Sequence, residues 1–223
     1  MKISSIPKLG RKGSVVYFKG RYGYLARQLV SPRNPRTDEQ QRHRDIVRAV
    51  TGRWRTLTPA QRATWRTAGA NRDFIPESGE QVRLSGYHLF VSLNVRRADL
   101  GLPQFDLPPA EPVFSPNPVA ELVITNSGGR ITLKLRVLGP PIQQTLVQGP
   151  APVRTGVRHV ERFPFLGLLP PTIDGWSDIT ALFVDRHGVP KVGMAIWIRT
   201  TQHIDGSIDV PKVFRARVPA RTA

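Results

Sequence analysis

The sequence predicts a two-domain α+β protein: a small basic helical N-terminal module carrying a β-hairpin arm, then a C-terminal all-β sandwich. Three observations predict it. Between residues 37 and 101, three stretches with helical spacing each begin at a Thr or Ser placed to cap them. Next comes LPQFDLPPAEPVFSPNPV, residues 102–119, with six prolines and neither a helical nor a strand period. Beyond it the apolar period switches to two, with turn residues between short runs.

Taken in order, residues 1–36 form the arm and hairpin. Residues 1–13 are basic and contain Gly and Pro without a periodic pattern, so order is expected there only against a partner. SVVYFKGRYGYLARQLV then reads as two β runs around Lys19-Gly20. Two strands alone are marginal in water, so this hairpin needs something to pack on or pair with. SPRNPRT is a breaker, because Pro32 and Pro35 fix φ.

Residues 37–101 form the helical module. Thr37 and Gln40 fit a capping box, with Asp38 and Glu39 in the first turn where the helix dipole favours them. The first helix is expected over about 38–56, burying Ile46, Val47, Val50 and Trp54. Thr58, Pro59 and Gln61 repeat the device and start a second helix at 59 that ends near Gly69. Trp54 and Trp65 are expected to be the core of that corner. Ser85 caps a third helix, GYHLFVSLNVRRADLG, with Tyr87, Phe90, Val91, Asn94 and Ala98 at helical spacing and Gly101 as its stop.

Residues 102–118 are the linker and 119–223 the β-domain. ELVIT, NSGG and RITLKLRV read as a hairpin, in which Ile131, Leu133, Leu135 and Val137 alternate with Arg130, Thr132, Lys134 and Arg136. Runs at TLVQG, ITALFVD, VGMAIWIRT and VFRARV bring the expectation to about seven strands, a sandwich of immunoglobulin or fibronectin type III character.

Charge is the strongest compositional signal. The chain has 223 residues, with 33 Lys and Arg against 16 Asp and Glu, a net charge of +17. Residues 1–100 hold 20 basic and 7 acidic side chains, net +13; residues 101–223 hold 13 and 9, net +4. That asymmetry points to a polyanionic partner, nucleic acid first and an acidic protein or membrane surface second. Arg42, Arg44, Arg48, Arg53, Arg55, Arg62 and Arg66 are the candidate ridge, since residues three or four apart share a helix face. In YFKGRYGYLAR, Tyr17, Phe18, Tyr22 and Tyr24 alternate with Lys19, Arg21 and Arg27, a mixture suited to stacking on bases or to an assembly arm.

Catalytic chemistry is not legible. There is no Gly-rich phosphate loop, nucleophile elbow or dinucleotide fingerprint. The absence of cysteine removes disulfides and thiolate metal sites, and the five histidines are scattered without ligand spacing. Asp174, Asp178 and Asp185 read as turn formers rather than calcium ligands. The expectation is a non-enzymatic protein without metal, cofactor or small-molecule substrate.

With PRNPRT, the W-x-x-LTPAQRA-x-W corner and LSGYHLFVSLN in view, residues 14–118 resemble an uncharacterised group of bacterial and phage-encoded proteins. That group carries a proline-rich start, a W…LTPAQRAAW helix pair and a GYNLF-like helix before a β-domain; the resemblance implies a structural or assembly role. LSGYHLFVSLNVR is also similar to the first helix of an HMG box, and VTGRWRTLTPAQRATWRTAGA to the stretch from its second helix into its third, in reversed order. Tyr87, Phe90 and Arg96 are the positions matching that family's DNA-bending surface.

The start, MKISSIPKLGRKGS, has no apolar signal-peptide core, and no run approaches the roughly 18 apolar residues of a spanning helix. The expected protein is made in the cytoplasm and self-associates, as a virion-type or other particle component, with an architectural nucleic-acid-binding role as the alternative.

Overall fold

The computed structural model describes residues 9–20, 23–31, 34, 36–74, 82–139 and 143–222. Residues 1–8 of the expected arm, Arg21 and Tyr22 of the hairpin, and the breakers Pro32 and Pro35 lie outside the described residues. Among the described residues, four helices and several antiparallel sheets make the protein mixed α and β.

Residues Met1–Arg42 form one unit. It holds an antiparallel sheet in the order β1 (Gly10–Lys12), β2 (Val15–Gly20) and β3 (Gly23–Gln28). The hairpin β2–β3 pairs Val15 with Gln28 and Lys19 with Tyr24, as the two β runs predict. The third strand, β1, falls where no pattern was legible. It needs only backbone pairing to β2, which imposes no side-chain period, and the turn is made by Gly13 at φ 62°. None of the described side chains in this sheet is buried.

His43–Ala223 form the second unit. Helix α1 runs Asp38–Thr56, α2 Pro59–Ala70 and α3 Gly86–Asp99. Thr58 and Gln61 make both halves of a capping box, at 3.2 and 2.8 Å, and the Ser85 hydroxyl accepts from His88 N–H. Val50, Leu57, Trp65, Leu89, Phe90 and Leu93 form the helical core, with Trp54 packed against it. The Phe90 ring lies 5.2 Å from each tryptophan. Of the residues at helical spacing in α3, Phe90 and Asn94 are buried and Tyr87 is 38% exposed, while Leu89 and Leu93 also take the buried face.

Glycine sets the α2–α3 crossing. A Cβ on Gly86 would meet Arg66 N at 2.5 Å and Trp65 C at 2.6 Å, and one on Gly69 would meet Leu84 O at 2.7 Å. Between the helices, β4 (Asp73–Phe74) pairs with β5 (Val82–Arg83).

The proline-rich segment folds back over the helical core. Prolines donate nothing, and carbonyls of the segment still need donors, several of which come from side chains of the helices and of Arg72 just beyond α2. Arg97 Nε donates to Pro103 O at 2.6 Å, Trp65 Nε1 to Asp106 O at 2.9 Å and Arg72 to Pro109 O at 3.0 Å. Asn94 both donates to and accepts from the Phe105 backbone.

The remaining strands are β6 (Val119–Ser127), β7 (Arg130–Val137), β8 (Gln144–Gln148), β9 (Phe165–Leu168), β10 (Trp176–Asp178), β11 (Ala195–Ile204), β12 (Ser207–Ile208) and β13 (Lys212–Arg217). One sheet has the order β10-β7-β6. In the other, β11 pairs with β8, β12 and β13, and β9 lies outside β8. Gly128 and Gly129, both at positive φ, turn the β6–β7 hairpin. Both sheets contribute to one core that includes Leu122, Leu133, Leu135, Val147, Ile196 and Ile198.

One element corrects the sequence reading. ITALFVD, expected as a strand, forms helix α4 (Thr180–His187). Ile179 and Phe183, four apart and both fully buried, satisfy a period of two as well as one of 3.6, so the spacing did not discriminate. Local hydrogen bonds decide it: Asp178 Oδ1 accepts from Thr180 N–H at 2.8 Å, the Thr180 hydroxyl accepts from Leu133 N–H, and Gly188 at φ 75° ends the helix.

Candidate polyanion and assembly surfaces

The seven ridge arginines do not form one row. On α1, Arg44, Arg48 and Arg55 recur at four and seven residues and share an exposed face. Arg42, in the first unit, and Arg53 lie on a different side of the helix. Arg53 Nε donates to Asp106 Oδ1 at 2.8 Å, so it belongs to the packing of the proline-rich segment. Arg48 pairs with Asp45 at 2.6 Å, an exposed bond that leaves it accessible.

On α2, Arg62 and Arg66 share a face. Arg62 is half-buried, and its Nη2 donates to Arg55 O at 2.9 Å. It therefore satisfies one of the last carbonyls of α1, which no intrahelical donor reaches. Arg55 and Arg66 have no ion pair among the described residues and are exposed. The uncompensated charge at this corner is centred on them.

In the first unit, strand alternation divides the candidate arm. Tyr17, Lys19 and Tyr24 share one face, Lys19 lying directly opposite Tyr24. Phe18 and Arg27 share the other, with the guanidinium 5.5 Å from the ring centroid. Arg21 and Tyr22 are the members outside the described residues. Of the HMG-matching positions, Phe90 is buried and Arg96 donates to Gly206 O at 2.9 Å, so only Tyr87 is exposed.

Sequence reasoning missed a second basic and aromatic surface. On the outer face of the β11 sheet, Arg215 lies 5.3 Å over Trp197 and Arg199 4.8 Å over Phe163. Arg217 follows Arg215 at the next outward position, and a cavity of ≈ 320 Å³ opens between Thr155, Arg215 and Arg217. The signal was available in the alternation of WIRT and VFRARV, where Trp or Arg occupies every second position of an outward row.

A buried polar cluster joins α3 to the β11–β12 turn. His203 Nε2 accepts from Gly206 N–H at 3.0 Å and Nδ1 faces Gln144 Oε1 at 3.2 Å. Burial first, then the Arg97 and Arg96 cations, holds this imidazole below its ordinary range, with Asp205 opposing. Among the described residues, no group of three or more His, Asp or Glu stands close enough to hold a metal ion. No helix there is long and apolar enough to cross a membrane.

Comparison with known protein families, with curated proteins and with solved structures finds no match.

Proposed function

We propose that this is a non-enzymatic structural or assembly protein that self-associates through its N-terminal sheet, as a virion-type or other particle component. One observation carries the reading: the β1-β2-β3 sheet has no buried described residue, and among the described residues no strand pairs with the outer edge of β1 or β3. A sheet without a core is marginal in water, and a second copy supplies what it lacks by covering a face or adding a strand. The resemblance of residues 14–118 to the bacterial and phage group supports the same role. Two antiparallel sheets over one core support the sandwich reading of the β-domain, with the immunoglobulin or fibronectin type III form as its proposed version.

Size-exclusion chromatography with light scattering tests the reading, comparing the full chain with a variant lacking residues 1–30. The full chain is expected to multimerise with concentration and the variant to remain monomeric. A full chain that stays monomeric at high concentration overturns it.

An architectural nucleic-acid-binding role is the second reading. It is favoured by the exposed Arg44, Arg48, Arg55 and Arg66 at the α1–α2 corner, where only backbone contacts and little sequence preference are expected.

A further inference from the structure

We infer that the β-domain carries a saccharide-binding groove at its β10 edge, separate from both basic surfaces. Asp178 lines two cavities. The first, ≈ 520 Å³, is walled by Pro170, Ile173 and Trp176 and rimmed by Lys134, Asp174 and Asp178. The second, ≈ 470 Å³, runs between the β6–β7 turn and α4, past Arg130, Thr180 and Asp185. Each is within the range of about 300–1,000 Å³ usual for ligand sites.

The lining chemistry selects the ligand class. Trp176, Pro170 and Ile173 offer an apolar wall, against which the C–H faces of a pyranose ring pack with the same gain as other apolar surface. The rim supplies acceptors at Asp174 and donors at Lys134, neither of which has a hydrogen bond or ion pair among the described residues. Hydroxyl groups are both donors and acceptors, so a polyol satisfies both ends of such a rim. Lys134 stands opposite Asp178 in the β7–β10 register, which places cation and carboxylate on the same outward row.

Charge does not single out the polyanion expected elsewhere. With Arg136, which stands opposite Trp176 on the outward row of β7, three cations (Arg130, Lys134 and Arg136) stand beside three carboxylates (Asp174, Asp178 and Asp185), so the groove is close to neutral on a chain of net charge +17. A locally balanced groove gives a polyanion no net local attraction, and an uncharged ligand with many hydroxyls is the class that fits. Two neighbouring cavities that share Asp178 in their walls suit a chain of sugars rather than a single ring.

Isothermal titration of the full chain with cellohexaose, maltohexaose and chitohexaose tests this, with an oligogalacturonate as the acidic comparison. At least one neutral hexasaccharide is expected to bind, and Trp176→Ala and Lys134→Ala are each expected to weaken it at least tenfold. Lys134 is an exposed strand residue, so that variant folds even if the tryptophan variant does not; thermal melts verify both. The inference is overturned if no neutral sugar binds at millimolar concentration, if binding survives unchanged in Lys134→Ala, or if the galacturonate binds more tightly than the neutral sugars.

Discussion

Arg97 on α3 donates to Asp205 Oδ1 at 3.0 Å, joining the third helix to the turn between β11 and β12. The same guanidinium donates to Pro103 O and lies 3.8 Å from the Phe105 ring centroid. Arg97 is buried, whereas the Asp205 side chain is about half exposed, so the two ends of the bond are unequal. Replacing Arg97 by Ala strips partners from Pro103 and Phe105 together and is expected to cost about 3 kcal/mol in urea unfolding. Asp205→Asn keeps a side chain that tolerates φ 50° and is expected to cost about 1 kcal/mol. Equal losses for the two variants would show that the ion pair, rather than the proline-rich segment, dominates at Arg97.

His203 makes stability depend on pH with a definite sign. Its folded pKa lies below the ordinary value near 6.5, so the unfolded chain binds the proton more readily than the folded one. The stability is fully present above about pH 6.5 and is lost as pH falls towards the folded pKa, by at most about 1.4 kcal/mol per pH unit. Protonation also sets an N–H at Nε2 against Gly206 N–H, a donor facing a donor. In His203→Gln this contribution is gone. Denaturant midpoints for wild type and variant are expected to converge between pH 7.5 and 5.5, and a constant gap would remove His203 from the acid response.

Two glycines of the helical module are expected to respond to Ala with opposite signs. At Gly86 the new Cβ meets the α2 backbone, which cannot rotate away, and a loss of about 3 kcal/mol is expected, roughly 6–12 °C in Tm. At Gly52, exposed in the middle of α1, nothing lies within 4 Å, and Ala is expected to gain about 0.5–1 kcal/mol through lower backbone entropy in the unfolded chain. Thermal melts of the two variants decide it; a tolerated Gly86→Ala would mean that α2 and α3 separate at little cost.

What the sequence made legible was local. Thr58 with Gln61 and Ser85 with His88 N–H act within three residues, so the starts of α2 and α3 were readable. Gly128 and Gly129 likewise announced the β6–β7 turn. The contacts that were not readable span the chain. Arg72 and Arg97 find proline carbonyls in a segment that looked like a spacer, and Asp205 lies 108 residues beyond Arg97. Arg62 and Arg53 show the same limit at the candidate site. Their positions on the helices suggested a common charged ridge, yet one caps α1 and the other reaches Asp106. Short strands such as β10 and β12, of three and two residues, are too brief to express a period.

The exposed arginines of α1 and α2 give the sharpest test of the polyanion reading. Arg44, Arg55 and Arg66 are exposed, whereas Arg53 lies on another side of α1 in an ion pair with Asp106. If the corner engages phosphates, each contact releases condensed counterions, and log K falls by about 0.9 per contact for each log unit of salt. Changing Arg44, Arg55 and Arg66 together to Gln is then expected to make the salt slope for duplex DNA shallower by about 2.7. Arg53→Gln is expected to leave the slope as it was while lowering stability by at most about 1 kcal/mol, since its bond is partly exposed. The measurement is a salt titration of the full chain and both variants with duplex and single-stranded DNA. Wild-type protein that fails to bind either at low salt, or a triple variant that keeps the wild-type slope, reduces this corner to a solvated face.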